Sequence, residues 1–251
     1  MAGHSKWAGI KHKKAVVDAQ RGKLFSKVIR ELTAAARLGG GHPEANPRLR
    51  LAVQKAREAN LPKDTLEKAI KRGTGELPGV SYEEMVMEGY GPGGVAILVE
   101  LLTDNKNRTS AEIRSLFTRL GGNVAGAGSV SWQFQKKGVV TLPANGLTEE
   151  RLMELALEAG AEDIRLEGTT ATVTTSPSAL EPVKQALQAA GLSCDAAELS
   201  MVPSSSVRVE DPVQAKALLA LLNALEDHDD TQHVYANFDI PDALLTEYAG
   251  A

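Results

Sequence analysis

The 251-residue chain lacks the sequence features of disulfide-rich proteins and of membrane proteins. Its one cysteine, Cys194, excludes an internal disulfide and a cysteine-based zinc site, and it favours a reducing compartment. Apolar runs such as Val95–Leu102 fall short of the roughly 20 residues that a membrane helix needs. No apolar signal segment opens the sequence. These features predict a cytoplasmic protein with no membrane partner.

The sequence also lacks motifs of common catalytic sites. It has no phosphate-binding G-x-x-x-x-G-K-[ST] loop and no G-x-S-x-G elbow. Gly91–Ala96 matches the letters of a dinucleotide fingerprint, but a strand follows where a helix must hold the pyrophosphate. The five histidines have no zinc-site spacing. We therefore expect no enzyme, no cofactor, no metal and no small-molecule substrate.

An acidic run, Glu226–Asp230, is the one candidate for a hard cation. It lacks the loop spacing and the glycine of a calcium site. A solvated acidic turn after a helix is the commoner outcome, and we favour that interpretation.

Charge is unevenly distributed along the chain. Residues 1–72 carry 17 Lys/Arg against 6 Asp/Glu, a net +11, whereas residues 73–251 carry 11 against 26, a net −15. Basic segments attract polyanions, because each neutralised phosphate releases counterions. This pattern predicts nucleic-acid binding through residues 1–72 only.

The first 22 residues are predicted to form a basic arm. Large apolar residues are sparse and not helically spaced from residue 1 to residue 14, so this stretch cannot bury enough surface to fold alone. Trp7 is suited to stacking on an unpaired base. The alternative is a solvated terminus with Trp7 packed against the body. The candidate binding residues of the arm are Lys6, Trp7, Lys11, His12, Lys13, Lys14 and Arg21.

Helical periodicity runs from Lys23 to Leu38. Four cations fall within about 80° of one another on a helical wheel. The opposite face is apolar, which predicts that the cations face outward and are further binding residues. The alternative is that the basic face is an ordinary solvated surface. The cations are Lys23, Lys27, Arg30 and Arg37, and the apolar residues are Phe25, Ile29, Leu32 and Ala36.

Two more helices complete a predicted three-helix bundle. Asn46-Pro47 is an N-cap followed by proline at the first helical position, and Gly73 ends the third helix. A helix-turn-helix with Lys63, Lys68, Lys71 and Arg72 on its second helix is a weak match. Few side chains of that helix suit base edges, so it favours phosphate contact.

The rest of the chain predicts two α/β domains. Residues 138–202 have the order strand, helix, strand, strand, helix, strand of a ferredoxin-like unit. The predicted fold class is α+β, a three-helix bundle plus two ferredoxin-like domains, one inserted in the other. The predicted domains are residues 1–75, residues 80–135 with 205–245, and the insertion 136–204.

Several segments together resemble the YebC/PmpR family across nearly the whole chain. They are Met1–Lys14, Arg21–Lys27, Gly89–Gly94, Leu102–Thr109, Gly128–Val130 and Val234–Ile240. The resemblance implies a three-domain, non-catalytic bacterial regulator of gene expression, resident in the cytoplasm.

The resemblance leaves two functions open. Bacterial members are described as DNA-binding transcriptional regulators. A mitochondrial relative is a translational activator, and bacterial members have been linked to ribosomes that stall on proline-rich sequences. The alternative to a transcriptional regulator is therefore a ribosome-associated translation factor that contacts ribosomal RNA, which a Trp-bearing basic arm also suits.

Overall fold

The computed structural model describes residues 17–144, 146–241 and 243–245, without the side chains of residues 17–21 and 167. The described residues form two compact units. The larger comprises residues 17–131, 207–236, 240–241 and 243–245. The smaller comprises residues 132–144, 146–206 and 237–239.

The larger unit begins with three helices: α1 (Val17–Gly39), α2 (Pro47–Glu58) and α3 (Lys63–Thr74). Leu32 of α1, Leu49 of α2 and Ala69 of α3 are fully buried in their shared core. The backbones of α1 and α3 touch, since a Cβ at Gly73 would lie 2.4 Å from the carbonyl oxygen of Thr33. Only glycine permits this approach.

A four-stranded antiparallel sheet with the order β3-β1-β2-β9 follows in the same unit. Its strands are β1 (Glu83–Tyr90), β2 (Ala96–Thr103), β3 (Asn123–Ala125) and β9 (Thr231–Ala236). Two helices of the unit, α4 (Lys106–Arg119) and α7 (Pro212–Glu226), bury Phe117 and Leu218 completely. The short strand β8 (Val207–Arg208) precedes α7.

The smaller unit has the ferredoxin-like order. Its antiparallel sheet is arranged β5-β6-β4-β7, with the first strand of the unit paired between the third and the fourth. The elements are β4 (Phe134–Pro143), α5 (Glu149–Ala156), β5 (Ala161–Glu167), β6 (Thr170–Thr175), α6 (Leu180–Ala189) and β7 (Ala196–Pro203). The two-residue strand β10 (Phe238–Asp239) belongs to the same unit.

The sequence of Ser129–Phe134 predicts a further strand, and this prediction is wrong. Residues 131–133 form a 3-10 turn, and β4 begins only at Phe134. The buried carboxylate of Glu88 accepts hydrogen bonds from the backbone N–H groups of Gly128 (2.8 Å), Val130 (2.6 Å) and Ser131 (2.9 Å). The side chain of Glu88 satisfies these donors, so no sheet ladder is needed to pair them.

The predicted α+β class with three N-terminal helices is confirmed. The domain boundaries given above stay predictions. None of the described helices is long and apolar enough to cross a membrane.

Candidate nucleic-acid interface

The apolar side of α1 has the predicted orientation. Leu32 and Ala36 are buried in the core of the three helices, and Phe25 and Ile29 pack against it. The opposite side of α1 is therefore directed away from that core, and it carries the predicted binding cations.

The structure describes four of the eleven predicted binding residues with their side chains. Lys6, Trp7, Lys11, His12, Lys13 and Lys14 lie outside the described residues, and Arg21 lies on α1 without a described side chain. The four described residues are Lys23, Lys27, Arg30 and Arg37. Arg37 is exposed, whereas the other three meet one acidic segment.

That segment is Glu226–Asp230, hereafter the acidic turn, which runs from the last residue of α7 to the residue before β9. The Nζ atom of Lys23 lies 3.4 Å from a carboxylate oxygen of Asp227. Lys27 donates a hydrogen bond of 2.5 Å to the carbonyl oxygen of Glu226. The acidic turn thus partly offsets the positive charge of α1.

Arg30 makes the deepest contact with the acidic turn. Its guanidinium donates to the carbonyl oxygen of Asp229 and lies 3.3 Å from the carboxylate of Asp230. Only 18% of the Arg30 side chain is exposed. It also lies over the ring of Tyr82, 5.9 Å from the centroid. Arg30 is thus held within the larger unit.

Asp230 is the centre of a buried polar network. Its carboxylate accepts hydrogen bonds from Thr109 (2.6 Å), Arg108 (2.8 Å) and Thr103 (3.1 Å). Burial raises the pKa of Asp230, but these hydrogen bonds and the charge of Arg30 outweigh that effect, so the pKa lies below its usual value. Asp230 is therefore held as a carboxylate.

The predicted solvated turn is wrong for Asp230, of which only 2% is exposed. The prediction failed because the positively charged partners, Arg30 and Arg108, come from distant parts of the sequence. Sequence spacing alone does not reveal such pairing.

The acidic turn also brings together a possible set of metal ligands. Glu112, His228 and Asp230 place one ligand atom each within 4.8 Å of one another. His228 already contacts Glu112 at 2.9 Å, and two guanidinium groups occupy the carboxylate of Asp230. A divalent cation beside two arginines would be repelled, so the donor set does not fit a metal.

A shallow cleft of about 880 Å³ adjoins this network. Its lining includes Arg30, Arg108 and Arg119 together with Glu112 and Asp227. Because the lining carries both signs, a phosphate group would have to compete with its carboxylates for the cations.

Comparison with known proteins identifies the relatives of this fold. Residues 5–76 match the family model for the TACO1/YebC protein N-terminal domain, and residues 82–238 match that for the TACO1/YebC second and third domain. The chain belongs to the TACO1/YebC family. The resemblance drawn from its motifs is confirmed.

Similar members of the TACO1/YebC family are known from diverse bacteria. A "probable transcriptional regulatory protein" of Halothermothrix orenii is 55% identical over 98% of both chains. One from Acidithiobacillus ferrooxidans is 56% identical over 96% of both chains. The crystal structure of a conserved hypothetical protein from Aquifex aeolicus superposes with a TM-score of 0.79 at 48% identity, covering 90% of this chain and 93% of the other.

Two TACO1/YebC motifs have structural roles in this chain. In Leu102–Thr109, Thr103 and Thr109 bind Asp230, and Asn105 caps α4 by accepting from the N–H of Arg108 at 3.1 Å. Gly128–Val130 is the loop held by Glu88. Asp230 and Glu88 could not be identified from sequence spacing as the partners of these motifs.

Proposed function

We propose that the chain is a regulator of transcription that binds DNA through its N-terminal basic region, residues 1–72. The segregation of charge, +11 in that region and −15 in the remainder, carries the proposal. Phosphates attract the first part and are repelled by the second, so the protein approaches nucleic acid in one orientation.

The printed names of the relatives, probable transcriptional regulatory proteins, favour the same function. The proposed role needs no catalysis. Among the described residues, the one thiol is a poor nucleophile, because burial raises the pKa of Cys194 and disfavours the thiolate. The proposed site of action is the bacterial cytoplasm, where DNA and ribosomes are accessible.

The proposed contact residues comprise an arm and a helix face. The arm would add phosphate contacts through its lysines and stacking through Trp7. The face of α1 would add contacts once phosphates compete with the acidic turn. The complete set is Lys6, Trp7, Lys11, His12, Lys13, Lys14, Arg21, Lys23, Lys27, Arg30 and Arg37.

The test measures binding of the full chain to a fluorescently labelled 30-base-pair DNA duplex by anisotropy. We expect affinity to fall steeply between about 50 and 200 mM salt, with a slope of about −0.9 per phosphate contact. Absence of salt-dependent binding to DNA would overturn the proposal. Tighter binding to ribosomes than to DNA, measured by co-sedimentation with DNA as competitor, would instead assign the protein to translation.

A further inference from the structure

The cations described on α1 and α2 differ in whether a carboxylate group lies against them. On α1, Lys23 and Arg30 lie against carboxylates of the acidic turn. On α2, the exposed side chains of Arg50 and Arg57 make no hydrogen bond or ion pair with any residue that the structure describes. Arg50 and Arg57 are therefore more available to a polyanion than Lys23 and Arg30 on α1.

The helix α2 is fixed firmly in the larger unit. Its N-cap, Asn46, accepts a hydrogen bond from the N–H of Leu49 at 3.1 Å and donates to the carbonyl oxygens of Ala35 and Gly40 at 2.8 and 2.9 Å. Arg48 donates two hydrogen bonds to the carboxylate of Glu31 on α1, at 2.7 and 2.9 Å. These hydrogen bonds fix the orientation of α2 and therefore of the side chains that it presents to solvent.

The burial of α2 defines that face. Leu49, Ala52, Val53 and Ala56 are buried on the inner side. On the outer side, Arg50, Gln54 and Arg57 are exposed, and they lie within about 60° of one another at 100° per residue. A single straight row of three side chains thus projects from a rigid helix.

The chemistry of this row matches the edges of bases. Arginine forms paired hydrogen bonds with guanine, and glutamine does so with adenine, in the major groove of DNA. Leu51, 54% exposed beside the row, is an apolar group of the kind that contacts the thymine methyl. The only acid of α2, Glu58, accepts a hydrogen bond of 2.9 Å from the Gln54 amide and so orients it.

We infer that the outward face of α2, carried by Arg50, Gln54 and Arg57, enters the major groove of duplex DNA and reads base edges. The inference rests on the proposed function and specifies its surface. Duplex RNA does not fit the same row, because its major groove is too deep and narrow for side chains to read. The third helix, considered above, then contributes phosphate contacts alone.

The test begins with selection of an enriched duplex from a random-sequence DNA library by the full wild-type chain. Binding to that duplex and to a scrambled duplex is then measured for each variant. Arg50→Gln with Arg57→Gln should lower affinity for the enriched duplex at least about tenfold. The matched control, Arg114→Gln with Arg119→Gln, removes two exposed charges from α4 and should lower it less than about twofold.

Two further variants separate base reading from charge. Gln54→Ala changes no charge, and it should weaken binding to the enriched duplex about fivefold while leaving the scrambled duplex unaffected. Arg50→Lys with Arg57→Lys keeps the charge and should lose the preference for the enriched duplex, because lysine lacks the planar fork. Unchanged thermal unfolding identifies variants that are folded.

The outcomes distinguish this inference from the proposed function. The inference is overturned, and the proposed function stands, if the α2 arginine variant lowers affinity for the enriched duplex no more than the α4 control does. The same conclusion follows if the chain binds duplexes but selection enriches no sequence. If the wild-type chain binds no duplex at all, the proposed function itself fails.

Discussion

Arg30 on α1 and Asp230, the residue before β9, lie far apart in the sequence, yet their side chains approach to 3.3 Å with only 3% of the Asp230 side chain exposed. This pair joins the three N-terminal helices to the turn that leads into the last strand of the first sheet. Arg108 reaches the same carboxylate from α4.

Asp230→Ala should destabilise the larger unit. The change removes a hydrogen-bond acceptor from the buried hydroxyls of Thr103 and Thr109 and the carboxylate that faces Arg30, whereas Arg108 keeps Asp104 at 2.9 Å. We expect a loss of about 3 kcal/mol in the free energy of unfolding, at the lower end for a broken buried pair because Arg108 reaches solvent. Urea unfolding measures it. Asp229→Ala is the matched control, since Arg30 contacts only the backbone of that residue, and it should cost under about 0.5 kcal/mol.

The same carboxylate should make stability depend on pH. The folded-state pKa of Asp230 lies below the unfolded value, so its contribution is complete above the unfolded pKa and is lost as the pH falls through the folded one. Urea unfolding of the wild type between about pH 6 and pH 3 should show stability falling below about pH 4. Asp230→Ala should show a shallower fall. Parallel curves for the two proteins would contradict this account.

Glu88→Gln should release the loop that contains Gly128 and Val130. An amide has a single acceptor oxygen, and its NH₂ group would face backbone donors. We expect unfolding to become easier by about 1–3 kcal/mol in chemical denaturation. The exposed pair of Glu210 with Arg208 supplies the control, because Glu210→Gln should change stability by under about 0.5 kcal/mol. Equal effects of the two variants would show that the carboxylate of Glu88 has no special role.

Asp227→Asn should leave stability nearly unchanged, because its contact with Lys23 is an exposed ion pair. It should raise affinity for DNA by up to about fivefold, since a repelling carboxylate is removed and Lys23 becomes available to phosphate. Anisotropy at low salt measures the gain, with Asp195→Asn in the smaller unit as a control of equal charge change. Weaker binding than in the wild type would argue against competition between the acidic turn and phosphates.

The arm is tested by replacing Lys11, Lys13 and Lys14 with alanine in the full chain. Binding should weaken, and the salt slope should decrease by about 0.7–0.9 for each phosphate that the arm no longer neutralises. Alanine at Arg114, Lys136 and Lys216, three exposed cations of the α/β part, is the matched control. A salt slope equal to that of the wild type would exclude the arm from the interface.

The sequence predicted those elements whose signals are local. The cap Asn46 with Pro47 marks the start of α2, and the alternating strands and helices of residues 138–202 predict the ferredoxin-like unit. The prediction failed where a distant side chain decides the structure. Glu88 turns a strand-like segment into a loop, and Arg30 and Arg108 bury an aspartate that resembles a solvated one.

Only part of the candidate site could be predicted from the sequence. Helical periodicity gives the basic face of α1, but not the acidic turn against it, because the turn comes from a segment near the other end of the sequence. The row on α2 could be found from sequence by spacing alone. Its significance depends on Arg50 and Arg57 having no acidic partner among the described residues, which only the structure reveals.

The order of the first sheet has a consequence for synthesis on the ribosome. The apolar strand β2 (Ala96–Thr103) pairs on one side with β1, but its other neighbour, β9 (Thr231–Ala236), is translated much later. At typical elongation rates the gap lasts roughly 6–25 s. During that interval β2 presents an unpaired apolar edge to other nascent chains. We therefore expect the nascent protein to depend on chaperones until β9 has been synthesised.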